Sequence, residues 1–399
     1  MLNFADAAAS TAHPFVGLRP FAFEDAAYFF GREAQIDALE RLIAQSPLIT
    51  IVGSSGSGKS SLVRAGLLPR LMSAVEMPSW DWVEMRPGEA PIRNLAEALA
   101  RPNRTAGADG FDPLAQARAD RIELVLRQSS FGIREALPLM HEREGQKLFV
   151  LIDQFEEIFR FADLRAVRGS DAQRASEQRD EATLFVQLVL AASDDPEFAG
   201  SIALTMRSDF IGECARFHGL SEAVTRTQYL VPALTRDQRA TAIRRPVEVA
   251  GGSIEPGLIQ RVLNDTSEDP DQLPVLQHAM MRCWQRAAKV AGAGGAPGMT
   301  RKNYAEIGGV ENALTLHGNE LLDELDRMEG GADGPRLTDI ARQVFQSLTE
   351  VDSQGRVIRR PQKLGDLVAV VMPEGAGERQ RAAIAAAVRG VVLHFADPT

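Results

Sequence analysis

The sequence predicts an α/β domain built on a parallel sheet, followed by a helical region and a small winged-helix end. Three observations carry this. Short, nearly continuous apolar runs alternate with longer helical patterns through the first 233 residues, the habit of a sheet covered by helices on both faces. A Gly/Ser-rich loop ending in Gly58-Lys59-Ser60 follows the first of these runs and opens a helical pattern. Strand signals then stop at Pro232, and apolar residues recur at helical spacing.

Taken in order, the predicted strands are Leu48 to Val52, Trp82 to Met85, Leu148 to Ile152, Ile202 to Met206 and Tyr229 to Val231. Two turn-rich or charged stretches, RPNRTAGADGFDP from Arg101 and LRAVRGSDAQRASEQRDE from Leu164, read as surface loops. Thr235 with Gln238 three residues on forms a capping box that opens a helix. Helical spacing continues through Leu258, Ile259, Val262 and Leu263, then Val275, Leu276 and Ala279. The AGAGGAPG run at 291–298 reads as a loop, with Thr300 capping the next helix. From about Arg336, LTDIARQVFQSL, PQKLGDLVAVV and RAAIAAAVRGVVLHF read as three helices leading into a strand, a pattern that fits a winged helix. The predicted organisation is an N-terminal arm (1–30), a P-loop domain (31–233), a helical domain (234–332) and a winged-helix domain (333–399), which reads as incomplete. No repeat of solenoid length occurs.

Composition narrows the class. The 399 residues exceed one core of ordinary size, since domains run to about 100–200 residues. A hydrophobic share of 45% and a charged share of 25% describe an ordinary globular chain. The formal net charge of -10 argues against tight binding to nucleic-acid phosphates, which needs a basic surface. Cys214 and Cys283 are the only cysteines and show no CxxC spacing, which points to a reducing compartment. Cys214 and His218 lie one helical turn apart if helical, but no second pair completes a zinc site. The N-terminus lacks the basic start and apolar core of a signal peptide, and no apolar run is long enough to span a bilayer. A cytoplasmic protein without a membrane partner is expected.

GSSGSGKS matches GxxxxGK[ST] over Gly53, Ser54, Ser55, Gly56, Ser57, Gly58, Lys59 and Ser60. Glycines let backbone N–H groups turn toward phosphate oxygens, and the helix N-terminus adds favourable partial charge. Lys59 is expected at the β- and γ-phosphates of ATP, the Ser60 hydroxyl at magnesium, and Ser61 beside the α-phosphate. LFVLIDQFEEIF ends an apolar strand in Asp153, a carboxylate suited to hold magnesium as in a Walker B element. Glu156 and Glu157 follow; one positions the attacking water, with Glu157 favoured, or both simply begin a solvated helix. Arg207, just beyond the strand of SIALTMRSDF, is either a γ-phosphate sensor or half of a structural salt bridge. Pro274 in DQLPVLQHAM suits the first turn of a helix and alone signals nothing.

Together these segments resemble the signal-transduction ATPases with numerous domains, the STAND class, and specifically its first novel subgroup of bacterial NTPases. The resemblance covers nearly the whole chain and is carried by PFVGLRPFAFEDAAYFFGRE (14–33), VGSSGSGKSSLVRAGLLPRL (52–71), LIDQFEEIF (151–159), LTMRSDFIGEC (204–214), QLPVLQHAMMRCW (272–284) and YAEIGGVENAL (304–314). It implies an additional-strand P-loop core with strand order 5-1-4-3-2, then helical and winged-helix domains. It also implies that Arg32 lies near the nucleotide, that Arg207 is a sensor, and that Pro274 packs near adenine as in the GxP element of relatives. This chain has Gln272-Leu273-Pro274 there. The DxxDE arrangement of NACHT relatives resembles Asp153, Glu156 and Glu157.

The resemblance further implies a switch, closed on ADP, that opens and self-associates on ATP, with slow hydrolysis as reset, in a bacterial defence or regulated-death system. Relatives continue past the winged helix, so this chain is expected to be a fragment whose unknown trigger and effector act through regions beyond Thr399. Rival readings are a ring ATPase that remodels protein or nucleic acid, a winged-helix DNA-binding regulator, and a small-molecule kinase.

Overall fold

The computed structural model describes residues 13–73, 80–102, 112–140, 146–162, 170–266, 272–292, 294–328, 336–351, 357–360, 362–373, 375 and 377–396. The chain divides into two compact units, residues 1–303 and 304–399.

The first unit is α/β. Its elements run α1 (Glu33–Gln45), β1 (Leu48–Gly53), α2 (Lys59–Ser61), a π-helical segment (Leu62–Leu67), α3 (Leu68–Ser73) and β2 (Trp80–Met85). They continue with α4 (Pro91–Leu99), α5 (Pro113–Gln128), α6 (Gly132–Met140), β3 (Lys147–Ile152), α7 (Glu157–Ala162), α8 (Ser170–Asp194), β4 (Gly200–Arg207), α9 (Leu220–Thr227) and β5 (Gln228–Leu230). The five strands form one parallel sheet in the order β2-β3-β4-β1-β5, which read from the other edge is the expected 5-1-4-3-2. Leu48 pairs with Ile202, Val150 with Ile202, and Val83 with Val150. All five predicted strands form, each within about two residues of its expected ends.

Alternation along the strands divides the core. Val150 and Ile152 join Val83, Ile202 and Leu204 on one face, where α4 and α8 contribute Ile92, Leu95, Phe185 and Val189. Phe149 and Leu151 join Ile49, Ile51 and Ala203 on the other, against Leu39 of α1 and Leu62 and Leu67 beyond the P-loop. Successive side chains of a strand point to opposite faces, so a strand covered on both must be apolar throughout.

Beyond the sheet lie α10 (Arg236–Val249), β6 (Ser253–Ile254), α11 (Pro256–Asp265), α12 (Leu273–Ala291), β7 (Gly298–Met299) and α13 (Arg301–Glu306), within which the division between units falls. The Thr235 capping box is present: the Thr235 hydroxyl accepts from Gln238 N at 3.2 Å and Gln238 Oε1 from Thr235 N at 2.9 Å. Thr300 likewise caps α13, accepting from Asn303 N. Two expectations are corrected here. Strand pairing does not stop at Pro232, because Ser253 and Ile254 pair in parallel with Gly298 and Met299, so the AGAGGAPG run ends in a strand rather than a loop. Residues from Ser170 onward in the charged stretch form the 25-residue helix α8, whose apolar end from Ala182 to Ala192 is buried against the sheet and whose charged start extends it. Residues 164–169 and 103–111 of the two predicted loops lie outside the described residues.

The second unit comprises α14 (Gly309–Met328), α15 (Leu337–Ser347), β8 (Thr349–Val351), β9 (Val357–Arg359), α16 (Leu364–Val371) and α17 (Glu378–Ala396). Its core gathers Leu325, Ile340, Val344, Leu367, Ile384, Val388 and Val391. The three predicted helices are present, but β8 and β9 form an antiparallel hairpin between the first two, and no strand follows α17 among the described residues. No described helix is long and apolar enough to cross a membrane.

Phe149, fully buried in the interior strand β3, supports the face beneath the P-loop helix. Phe149→Ala is expected to lower the unfolding free energy by about 3–5 kcal/mol, read as a shift in the urea midpoint.

Candidate functional site

The site forms at the C-terminal ends of β1, β3 and β4, where a parallel sheet exposes its connecting loops. After Gly53 the chain turns back on itself. Gly56 and Gly58 take positive φ of 70° and 87°, a conformation that a side chain would strain, and α2 starts at Lys59. Ser57 is buried and donates to the Ser54 carbonyl at 2.9 Å, so the loop braces itself from within, while Ser55 faces solvent. The Lys59 amine donates to the carbonyls of Gly53 (2.9 Å) and Ser54 (2.6 Å). Burial pushes it down from its ordinary pKa, with Glu156 and Asp153 nearby pulling the other way. The Ser54 hydroxyl oxygen is buried without a hydrogen-bond partner.

Asp153 ends β3 and is 1% exposed. Its Oδ1 accepts from the hydroxyls of Ser60 and Thr205, each at 2.6 Å, and its Oδ2 from Arg64 Nη2 at 2.8 Å. Arg64 also ion-pairs with Glu84, and Arg86 Nε lies 3.8 Å from Asp153 Oδ2. Gln154 next to it takes a φ of 56° while donating its N–H to Thr205 Oγ1 at 3.0 Å. That left-handed residue turns the chain out of the sheet so that the two glutamates point in different directions.

Glu156 is buried, accepts from the Arg207 backbone N–H at 3.3 Å, and is charge-coupled to Lys59. Burial pushes its carboxyl up. Glu157 instead takes the Gly88 N–H on Oε2 at 3.1 Å. The Gly88 turn is in turn held by Asn94, which donates to the carbonyls of Arg86 and Pro87. The Arg207 guanidinium makes a bidentate pair with Asp209 at 3.0 and 2.6 Å, the salt bridge weighed above as one alternative.

Arg32 is 4% exposed and donates to the carbonyls of Ser57 (3.0 Å) and Pro232 (2.7 Å), tying the P-loop to the end of β5. Burial pushes its guanidinium down to about 10, still a cation at neutral pH. Ser61 is buried and its hydroxyl accepts the Phe21 N–H at 3.1 Å, leaving its own proton to donate. Phe21 and Val16 pack with Ala65, so the N-terminal arm lies against the helix that follows the P-loop. Pro274 stands in the first turn of α12, as its residue type suits.

Among the residues of this arrangement that escaped the sequence reading are Arg64, Glu84, Arg86, Gly88 and Thr205. A signal existed for two of them. Glu84 in WDWVEM and Thr205 in SIALTMR are polar positions inside strands buried on both faces, and such groups need partners.

The donor set fits a phosphate and a hard divalent cation. Turned-in backbone around Gly56 and Gly58 with an adjacent ammonium suits phosphate oxygens. Ser60 Oγ and Asp153 Oδ1, 2.6 Å apart, are adjacent hard oxygens of the kind magnesium takes.

Fold and site together define a P-loop NTPase. The model of the novel STAND NTPase 1 family matches residues 14–395, and the chain belongs to that family. Over 196 residues, 39% of this chain and 79% of the relative, it is 28% identical to the aliphatic sulfonates import ATP-binding protein SsuB 2 of Frankia alni. Among solved structures it is similar to the Aeropyrum pernix ORC2 protein, at TM-score 0.46 and 14% identity over 91% of this chain and 95% of that one. A Walker-type ATPase of Pyrococcus abyssi gives TM-score 0.40 and 17% identity over 94% and 92%.

Arg32→Ala removes two charge-assisted hydrogen bonds, to the carbonyls of Ser57 and Pro232. It is expected to lower stability by about 2 kcal/mol or more, measured by urea denaturation, with Arg32→Lys recovering part of the loss.

Proposed function

We propose that this protein is an ATP/ADP-controlled switch in which ATP binding with magnesium favours an open, self-associating form and slow hydrolysis resets it. The observation that carries the reading is the convergence of Lys59, Ser60, Asp153, Glu156 and the backbone of Arg207 at one end of the sheet. Membership of the STAND family supports it.

In this reading the P-loop N–H groups and Lys59 take the β- and γ-phosphates, and Ser61 lies toward the α-phosphate. Ser60 and Asp153 would hold magnesium, which supplies charge neutralisation for the phosphoryl oxygens. The two glutamates divide their work: Glu156, on the Lys59 and Arg207 side, orients the attacking water, while Glu157 anchors the Gly88 turn. This reverses the order that the sequence suggests. Arg207 senses the γ-phosphate by exchanging Asp209 for it, and Pro274 packs toward adenine. Exchange of that kind gives ATP and ADP different affinities for two conformations, the 1–3 kcal/mol or so that a switch needs. The region around α15 to α17 serves as a winged helix, and the biological setting is bacterial defence or regulated death.

Lys59→Ala is expected to weaken ATP binding roughly tenfold or more, measured by calorimetric titration; unchanged affinity refutes the site. Glu156→Gln is expected to slow phosphate release by about 100-fold or more with ATP binding retained, while Glu157→Gln slows it less. Mass-resolved size distributions with ADP, ATP and a non-hydrolysable analogue test the switch. Assembly with ATP or the analogue but not ADP supports it, and rapid turnover by a monomer replaces it with an ordinary ATPase.

A further inference from the structure

We propose that Arg64 and Glu84 are positioning residues for the metal-binding carboxylate Asp153, setting how tightly the site takes its divalent cation. The inference rests on the magnesium-nucleotide reading above. Ser60 and Arg64 are four residues apart on the helix after the P-loop, so both project from one face and both reach Asp153. Arg64 lies in the π-helical segment Leu62–Leu67, a wider turn of the kind found at functional sites. Its guanidinium spans two carboxylates: Nη2 is 2.8 Å from Asp153 Oδ2 and pairs with Glu84 on the neighbouring strand β2.

The arrangement fixes Asp153 in two ways. Arg64 holds Oδ2 while Ser60 and Thr205 hold Oδ1, so the carboxylate presents Oδ1 beside the Ser60 hydroxyl. Arg64 alone would neutralise Asp153 and weaken it as a ligand for a cation. Glu84 supplies the compensating charge, so Asp153, Arg64 and Glu84 together carry a formal net charge of about minus one, while Arg86, 3.8 Å from Asp153 Oδ2, is half-exposed and screened by water. Stability is a poor explanation of the bridge. Arg64 is 7% and Glu84 5% exposed, yet Arg64 Nε and Glu84 Oε2 have no hydrogen-bond partner. Buried ion pairs left partly unsatisfied are commonly no more stable than apolar replacements.

The test is a magnesium titration of fluorescent-ATP binding to the full chain, with melting temperature and nucleotide binding in EDTA measured alongside. For Glu84→Gln, a near-isosteric change, the half-saturating magnesium concentration should rise about 10–100-fold, with binding in EDTA kept at the wild-type value. Arg64→Lys, whose single ammonium cannot span both carboxylates, should shift it in the same direction. A purely structural bridge predicts lower melting temperatures with unchanged magnesium half-saturation, and that outcome overturns the proposal. If Glu84→Gln does not fold, Arg64→Lys decides by the same criterion; failure of both to fold marks the bridge as structural and also overturns it. Wild-type binding that magnesium does not tighten would instead overturn the underlying reading and this inference together.

Discussion

A carboxylate that is 1% exposed must find its hydrogen-bond donors within the protein, because water no longer reaches it. Asp153 meets that constraint with hydroxyls from the P-loop helix and from β4, and with a guanidinium from the π-helical segment. The donors come from two separate stretches of chain, so satisfying one buried charge fixes the end of β3 against the end of β4 and against the helix that follows the P-loop. The neighbouring residues inherit this geometry. Gln154 turns left-handed because its N–H is drawn to Thr205, and the turn sends Glu156 toward Lys59 and Glu157 toward Gly88.

The P-loop is held from outside as well as from within. Arg32 grips its Ser57 carbonyl and the Pro232 carbonyl at once, and Ser61 receives the N–H of Phe21 from the N-terminal arm. The P-loop region is therefore tied to the edge of the sheet at β5 and to a residue 40 positions upstream.

Much of the sheet was legible because parallel strands covered on both faces must be apolar throughout, and runs such as LITIV and LFVLI have few other uses. The P-loop was legible because its glycines, lysine and serine are local requirements of one short turn. The capping box at Thr235 and Gln238 was legible for the same reason. The 25-residue helix α8 was missed because its first half is charged and its identity as helix is set by the buried second half. The pairing of Ser253 and Ile254 with Gly298 and Met299 was missed because two-residue strands leave no periodicity to read.

The sequence by itself determined the class of fold, the phosphate loop, and the strand that leads into Asp153 and the pair of glutamates, since each is written in a continuous stretch of residues. Only the tertiary structure decided which glutamate faces Lys59, that Arg207 pairs with Asp209, and that Arg64 bridges Asp153 to Glu84. The Arg64 bridge depends on side chains from separate elements, Arg64 and Asp153 being 89 positions apart, brought within hydrogen-bonding distance. Burial then obliges such groups to find one another, and no local pattern records which partner each will find.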